Sequence, residues 1–152
     1  MKRQGIELME EVRRQLDEAE AVLGAMNDVD LTKHCPNEDG EVSGTVAAAA
    51  AHLAEGYGRL GRFLHSTVYT PAAPERGHEH TAPPETVADV LYLLRGVEQT
   101  TPLLGELTDE QLDTVPAKTN KFTDGERTLR GVITEMIAHQ AGHLAGIKRA
   151  LA

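Results

Sequence analysis

The chain has 152 residues, 40% of them hydrophobic, and carries a formal net charge of -9 from 15 Lys and Arg against 24 Asp and Glu. This length predicts one domain over residues 1–152, and an apolar fraction rich in Ala, Leu and Val, without Trp, favours an all-α protein. The negative charge disfavours nucleic acid and anionic membrane surfaces as partners, because both are themselves anionic.

The sequence also argues against membrane insertion and export. No stretch approaches the roughly 18 consecutive apolar residues of a membrane span, and no secretory apolar segment follows the first charged residues. The single cysteine, Cys35, has no partner for an internal disulfide, which fits a reducing compartment. We therefore expect a cytoplasmic protein.

Two amphipathic helices are predicted in the N-terminal half, from apolar residues spaced three and four positions apart. The first covers about residues 6–26. The polar segment 27–44 interrupts the pattern and predicts a long loop. The second helix covers about residues 43–68, with Ser43 as its candidate N-cap.

A second long loop and a third helix follow. Segment 70–84 contains four prolines and cannot be helical. The third helix is predicted over about residues 85–104, with Pro102 disturbing its last turn. A short helical turn is expected to start at Thr108, because Gln111 three positions later completes a capping box.

The fourth predicted helix closes the chain. Thr123 and Glu126 have the spacing of another capping box, and the apolar repeat behind them continues from Leu129 to Leu151. Together the pattern predicts an antiparallel-rich four-helix bundle, with long loops between helices one and two and between helices two and three.

Three histidines form the candidate metal site. His139 and His143 are four residues apart, so both imidazoles share one helix face and can bind the same divalent ion. His52 lies at the margin of the second helix, in the Ala-rich segment AAAAAHLAEG, where small side chains leave room for an ion and a ligand. Three imidazoles leave coordination positions open, as in catalytic sites. The alternative is three ordinary core or surface histidines.

Two carboxylates and one amide accompany these histidines. Glu135 precedes His139 by one turn and Glu55 follows His52 by nearly one turn. Each could orient an imidazole or move a proton, or could be an ordinary solvated carboxylate. Gln140 stands where zincin proteases carry their glutamate base, which disfavours that chemistry. The Gln140 side chain could reach the metal site, or it could only form a contact between helices.

Other candidates are weaker. His34 beside Cys35, and His78 with His80, lie in predicted loops where scattered polar residues are common. His65 is expected at the solvated end of the second helix. Cys35 could act as a nucleophile only with a lowered pKa, for which His34 is the one nearby source.

The segment FTDGERTLRGVITEMIAHQAGHLAGIKRAL, together with the upstream segment GTVAAAAAHLAEGYGRLGRFL, resembles the DinB-like (YfiT-like) superfamily. The resemblance covers the second and fourth predicted helices and, more loosely, the order of all four. It implies a four-helix bundle whose metal ligands are His52, His139 and His143. It also implies zinc or nickel, a homodimer, and either transfer of a low-molecular-weight thiol such as bacillithiol or a thiol-dependent isomerisation.

Three functions are compatible with these features. The first is a metal-dependent transferase that passes a small thiol to a small-molecule electrophile, with Arg59, Arg62 or Lys148 available to an anionic cofactor. The second is a hydrolase that uses Glu55 or Glu135 as base. The third is a non-catalytic module in which the ion ties two helices together. Loops 27–44 and 70–84 are expected to border the site and to select the substrate.

Overall fold

The computed structural model describes residues 1–36, 44–69 and 84–152. These residues are mostly helical and contain no β-strand, which confirms the all-α prediction. Among them, no helix combines the length and the apolarity that crossing a lipid bilayer requires. The α-helices in chain order are α1 Arg3–Gly24, α2 Val46–Leu64, α3 Val87–Val97, α4 Thr101–Gly105, α5 Asp109–Leu112 and α6 Leu129–Leu151.

The first predicted loop contains a helical turn that the sequence pattern did not indicate. A 3-10 helix spans Asp28–Thr32, and its start is a capping box in which the side chains of Asn27 and Asp30 each accept a backbone N–H from the other residue over 3.0 Å. Residues 37–43, with the candidate cap Ser43, lie outside the described residues. The N-cap of α2 is Thr45, whose hydroxyl accepts the N–H of Ala48.

The second predicted helix is confirmed, although its regular α-helical part ends at Leu64. The chain continues as one π-helical turn, His65–Tyr69, so the helical segment ends within one residue of the predicted boundary. The proline-rich loop after it lies outside the described residues except for Pro84, which is buried.

The third predicted helix is divided into two. Helix α3 ends at Val97, a 3-10 turn covers Glu98–Thr100, and α4 then begins with Pro102 in its first turn. Proline has no N–H to donate and its ring collides with the carbonyl four residues before it, so it disrupts a helix interior but fits a helix start. Pro102 therefore separates two helices instead of disturbing one last turn.

The start of α6 corrects the predicted capping box. The helix begins at Leu129, and its N-cap is Thr128, whose hydroxyl accepts the N–H of Gly131 over 3.2 Å. Thr123 lies in the preceding loop. Between them, Gly125 has a positive φ of 77°, in the left-handed region that suits glycine, and this turn prevents a helix from continuing out of Thr123. By contrast, the capping box of Thr108 and Gln111 at α5 is confirmed.

Packing of the long helices brings the histidine-bearing elements together. Helices α1 and α2 each pack against α3 and against α6, and the shared core between them includes the fully buried Tyr57, Phe63 and Ile133. The buried stripes of α1, α2 and α6 follow the three- and four-residue spacing of their apolar side chains. Helices α2 and α6 therefore lie side by side along the face that carries the candidate site.

Candidate metal centre

The three predicted histidines converge where α2 and α6 meet. His52 projects from α2, and His139 and His143 project from α6. One nitrogen from each ring can be chosen so that all three lie within 4.8 Å of one another. All three histidines are half-buried, so each keeps some contact with solvent.

The three imidazole rings contact one another. The Nε2 atoms of His139 and His143 are 2.9 Å apart, with their ring planes at 89°. Two imidazole nitrogens about 2.0–2.1 Å from one ion are about 2.9 Å apart at the right angle of octahedral coordination and about 3.4 Å apart at the tetrahedral angle that zinc favours. The ring of His52 meets that of His143 edge to face, with the centroids 4.6 Å apart. The three rings therefore lie close together, and the binding of one ion by all three stays a prediction.

An aromatic side chain from the loop before α6 forms a wall of the cluster. The ring of Phe122 is 9% exposed and lies edge to face against His139, with the centroids 5.5 Å apart. Its backbone N–H donates to the side-chain oxygen of Asn120 over 2.8 Å, which holds the loop in place. Lys121 Nζ lies 5.2 Å from the centre of the Phe122 ring.

Sequence reasoning missed Phe122 because a loop has no periodicity that marks its inward-facing residues. A signal was nevertheless present. The chain has only two phenylalanines, and an apolar aromatic residue in a loop of otherwise polar composition indicates a buried contact.

The two candidate carboxylates occupy different surroundings. Glu135 is 54% exposed, and its Oε2 lies 3.3 Å from Nη1 of Arg127 in the loop before α6. This ion pair directs Glu135 toward the loop. Glu55 is half-buried on α2, nearly one turn after His52. A role for either carboxylate in proton transfer or in orienting an imidazole stays a prediction.

Gln140 forms a contact between helices, which was one of the two roles that the sequence analysis allowed for it. It is 5% exposed, and its Nε2 donates a hydrogen bond of 2.6 Å to the carbonyl oxygen of Leu53. The bond joins α6 to α2 within the core, at the level of the histidines.

Several weaker candidates can now be placed. Cys35 is buried with its Sγ 3.8 Å from the carbonyl oxygen of Gly146, and burial raises the pKa of its thiol. A nucleophile requires a lowered pKa, so the raised pKa agrees with the weak standing of Cys35 as a nucleophile in the sequence. His65 is exposed at the end of α2, as predicted, and the exposed His34 forms an isolated antiparallel β-bridge with Thr45.

The remaining candidates are two histidines that cannot be placed and three cations on α2 and α6. His78 and His80 lie outside the described residues. Of the cations considered for an anionic cofactor, Lys148 forms an ion pair with Glu18 of α1. Arg59 and Arg62 lie on α2 and are half-buried.

The fold and these residues define the class of protein: an all-α protein with a three-histidine cluster between two neighbouring helices. Comparison of the chain with protein-family models, with curated proteins and with solved structures gave no significant match. Its function is therefore inferred from its own residues, from their geometry and from the resemblance of its two histidine-bearing segments.

Proposed function

We propose that this protein is a metal-dependent enzyme of the DinB-like type that transfers a low-molecular-weight thiol, such as bacillithiol, to a small electrophile. In this proposal His52, His139 and His143 bind one divalent ion, zinc or nickel. The observation that carries the proposal is the convergence of three imidazoles from two helices to within 4.8 Å. The mutual packing of α1, α2, α3 and α6 supports a four-helix bundle, the fold that the proposal requires.

The donor set suits the proposed ions. Imidazole nitrogen is a common ligand of both zinc and nickel, and three such ligands leave at least one coordination position for a substrate. A bound ion would supply Lewis acidity, which lowers the pKa of a thiol and makes the thiolate available at neutral pH. The protein's own residues would orient the imidazoles, and Phe122 would keep water away from one side of His139.

A small-molecule thiol is required because the chain has no accessible thiol of its own. Its one cysteine, Cys35, is buried and has a raised pKa. The nucleophile must therefore enter with the substrates. The proposal also includes a homodimer, on the ground of the resemblance, and a cytoplasmic location, on the ground of the single unpaired cysteine.

The metal assignment is tested by metal analysis of purified protein. Wild-type protein should hold about one zinc or nickel ion per chain, and His52→Ala and His143→Ala should lose most of it because each removes a ligand. His65→Ala is the matched control, since His65 is an exposed histidine that directly follows α2. Equal metal in all four proteins, or none in any of them, would end the assignment.

The reaction is tested by incubating zinc- or nickel-loaded protein with a haloarene or an epoxide, with and without bacillithiol. Turnover that needs both the metal and the thiol is the expected result. Turnover that ignores the thiol would instead support the hydrolase, with Glu55 as the base to mutate first. Metal binding without turnover, together with reduced thermal stability in His52→Ala, would indicate a non-catalytic module in which the ion ties α2 to α6.

A further inference from the structure

One buried hydrogen bond joins the two helices that carry the histidines. Gln140 follows His139 directly, Leu53 follows His52 directly, and the side-chain amide of Gln140 donates to the Leu53 carbonyl oxygen over 2.6 Å. A carbonyl oxygen has two lone pairs, so it can accept this bond in addition to its helical one. The bond thus connects α2 and α6 one residue away from a candidate ligand on each side.

A glycine on α2 provides the space that this bond needs. A Cβ atom added to Gly56 would lie 2.1 Å from Oε1 of Gln140 and 2.4 Å from its Cδ and Nε2. Nonbonded carbon atoms normally approach no closer than about 3.5 Å. Any side chain at position 56 would displace the amide of Gln140, so the glycine and the glutamine form a matched pair across the two helices.

The three histidines depend on this contact to different degrees. The separation of His139 and His143 is set within one helix, because residues four apart share a face. The distance of His52 from these two residues is set only by how α2 lies against α6. A directional hydrogen bond beside His52 limits both sliding and rotation of α2, whereas apolar contacts alone are not directional.

We propose that Gln140 is a positioning residue that holds His52 within bonding reach of the ion bound by His139 and His143. The inference rests on the metal-binding function proposed above. It predicts that loss of the Gln140 amide weakens metal binding more than loss of a comparable buried bond elsewhere on α2.

The described residues contain a second buried bond from a side chain to a carbonyl oxygen of α2, although it is longer than the bond of Gln140. The hydroxyl of Thr100, which is 6% exposed, donates to the carbonyl oxygen of Tyr57 on α2 over 3.4 Å. A Cβ added to Gly61 would lie 2.8 Å from that hydroxyl oxygen. Thr100 and Gly61 therefore repeat the arrangement of Gln140 and Gly56, but they join α2 to the turn before α4 instead of to α6.

The experiment compares Gln140→Met and Gly56→Ala with the control variants Thr100→Val and Gly61→Ala. Zinc affinity is measured by competition with a chromophoric chelator, coordination geometry by the visible absorption of the cobalt-loaded protein, and stability by thermal unfolding of the metal-free protein. Gln140→Met and Gly56→Ala should bind zinc about tenfold or more weakly and should alter the cobalt spectrum. The two controls should lower the unfolding temperature while keeping wild-type zinc affinity and spectrum.

The possible failures are distinguishable. Zinc affinities that fall equally in Gln140→Met and Thr100→Val, or do not fall in Gln140→Met, would overturn the positioning role and leave the metal site intact. Wild-type protein that binds no zinc would overturn the metal site and the positioning role together. If Gln140→Met does not fold, Gly56→Ala is compared with Gly61→Ala instead, because both variants keep every polar side chain. Zinc affinities that fall equally in these two variants, or that do not fall in Gly56→Ala, would then overturn the positioning role.

Discussion

The hydroxyl of Tyr57 on α2 donates a 2.7 Å hydrogen bond to Oε1 of Gln15 on α1, and both side chains are buried. The Gln15 amide nitrogen lies 3.4 Å from the carbonyl oxygen of Ile137 and donates to it, so the same pair also reaches α6. Burial raises the pKa of Tyr57, which keeps its hydroxyl protonated and able to donate. One chain of hydrogen-bonded polar groups thus connects three helices inside the core.

Removing the Tyr57 hydroxyl should destabilise the protein. Tyr57→Phe leaves Oε1 of Gln15 buried without this donor, and an unsatisfied buried polar group costs about 1–3 kcal/mol. The free energy of unfolding, measured with urea, should fall by about that amount. Tyr92→Phe is the control, because Tyr92 is 78% exposed and should change stability by less than about 0.5 kcal/mol. Equal effects of the two substitutions would show that the buried bond contributes nothing measurable.

Zinc should stabilise the folded protein if the histidine cluster binds it. A ligand that binds only the folded state at about 100 times its dissociation constant adds about 2.7 kcal/mol to the free energy of unfolding. His143→Ala should abolish this increase, measured by thermal unfolding with zinc and with a chelator. His65→Ala should retain it. An increase that survives in His143→Ala would indicate zinc binding at another site.

Acid should reduce the stability that Asp124 contributes. Its carboxylate accepts the backbone N–H groups of Arg127 over 2.7 Å and Glu126 over 2.9 Å, and these bonds hold its pKa below the ordinary value of 3.8. Because the unfolded chain takes up the proton more readily, the contribution is complete above about pH 3.8 and is lost as the pH falls through the folded-state pKa.

The matching variant is Asp124→Asn, which keeps an acceptor oxygen but cannot ionise. Wild-type protein should be the more stable of the two at pH 7, since a charged acceptor forms the stronger bonds. The difference should shrink as the pH is lowered toward 2, as followed by urea unfolding at a series of pH values. A difference that stays constant over this range would contradict the assignment.

The thiol of Cys35 should react slowly in the native protein. It is 4% exposed, and burial raises its pKa, so both access and thiolate content are low. A disulfide reagent such as Ellman's reagent should modify it rapidly only after unfolding in urea. Val115→Cys provides an internal control, because position 115 is 49% exposed and its new thiol should react at once. Native Cys35 reacting as fast as that thiol would contradict its buried position.

Helix positions were largely predictable from local spacing, but their exact starts were not. Apolar residues repeated at three and four positions indicated α1, α2 and α6 because that repeat reflects the geometry of a single helix. Thr123 and Thr128 are both plausible caps by residue type. The choice between them depends on the turn at Gly125 and on loop contacts, including Thr123 accepting the N–H groups of Thr119 and Asn120 over 2.7 and 3.0 Å.

The sequence by itself determined the all-α class and the common face of His139 and His143, because both follow from short-range backbone geometry that each helix carries alone. Only the tertiary structure decided that His52 lies beside them, that Phe122 covers His139, and that Gln140 enters the space left by Gly56. Those relationships join residues far apart in the chain. They depend on how side chains pack between helices, and a local sequence pattern does not predict that packing.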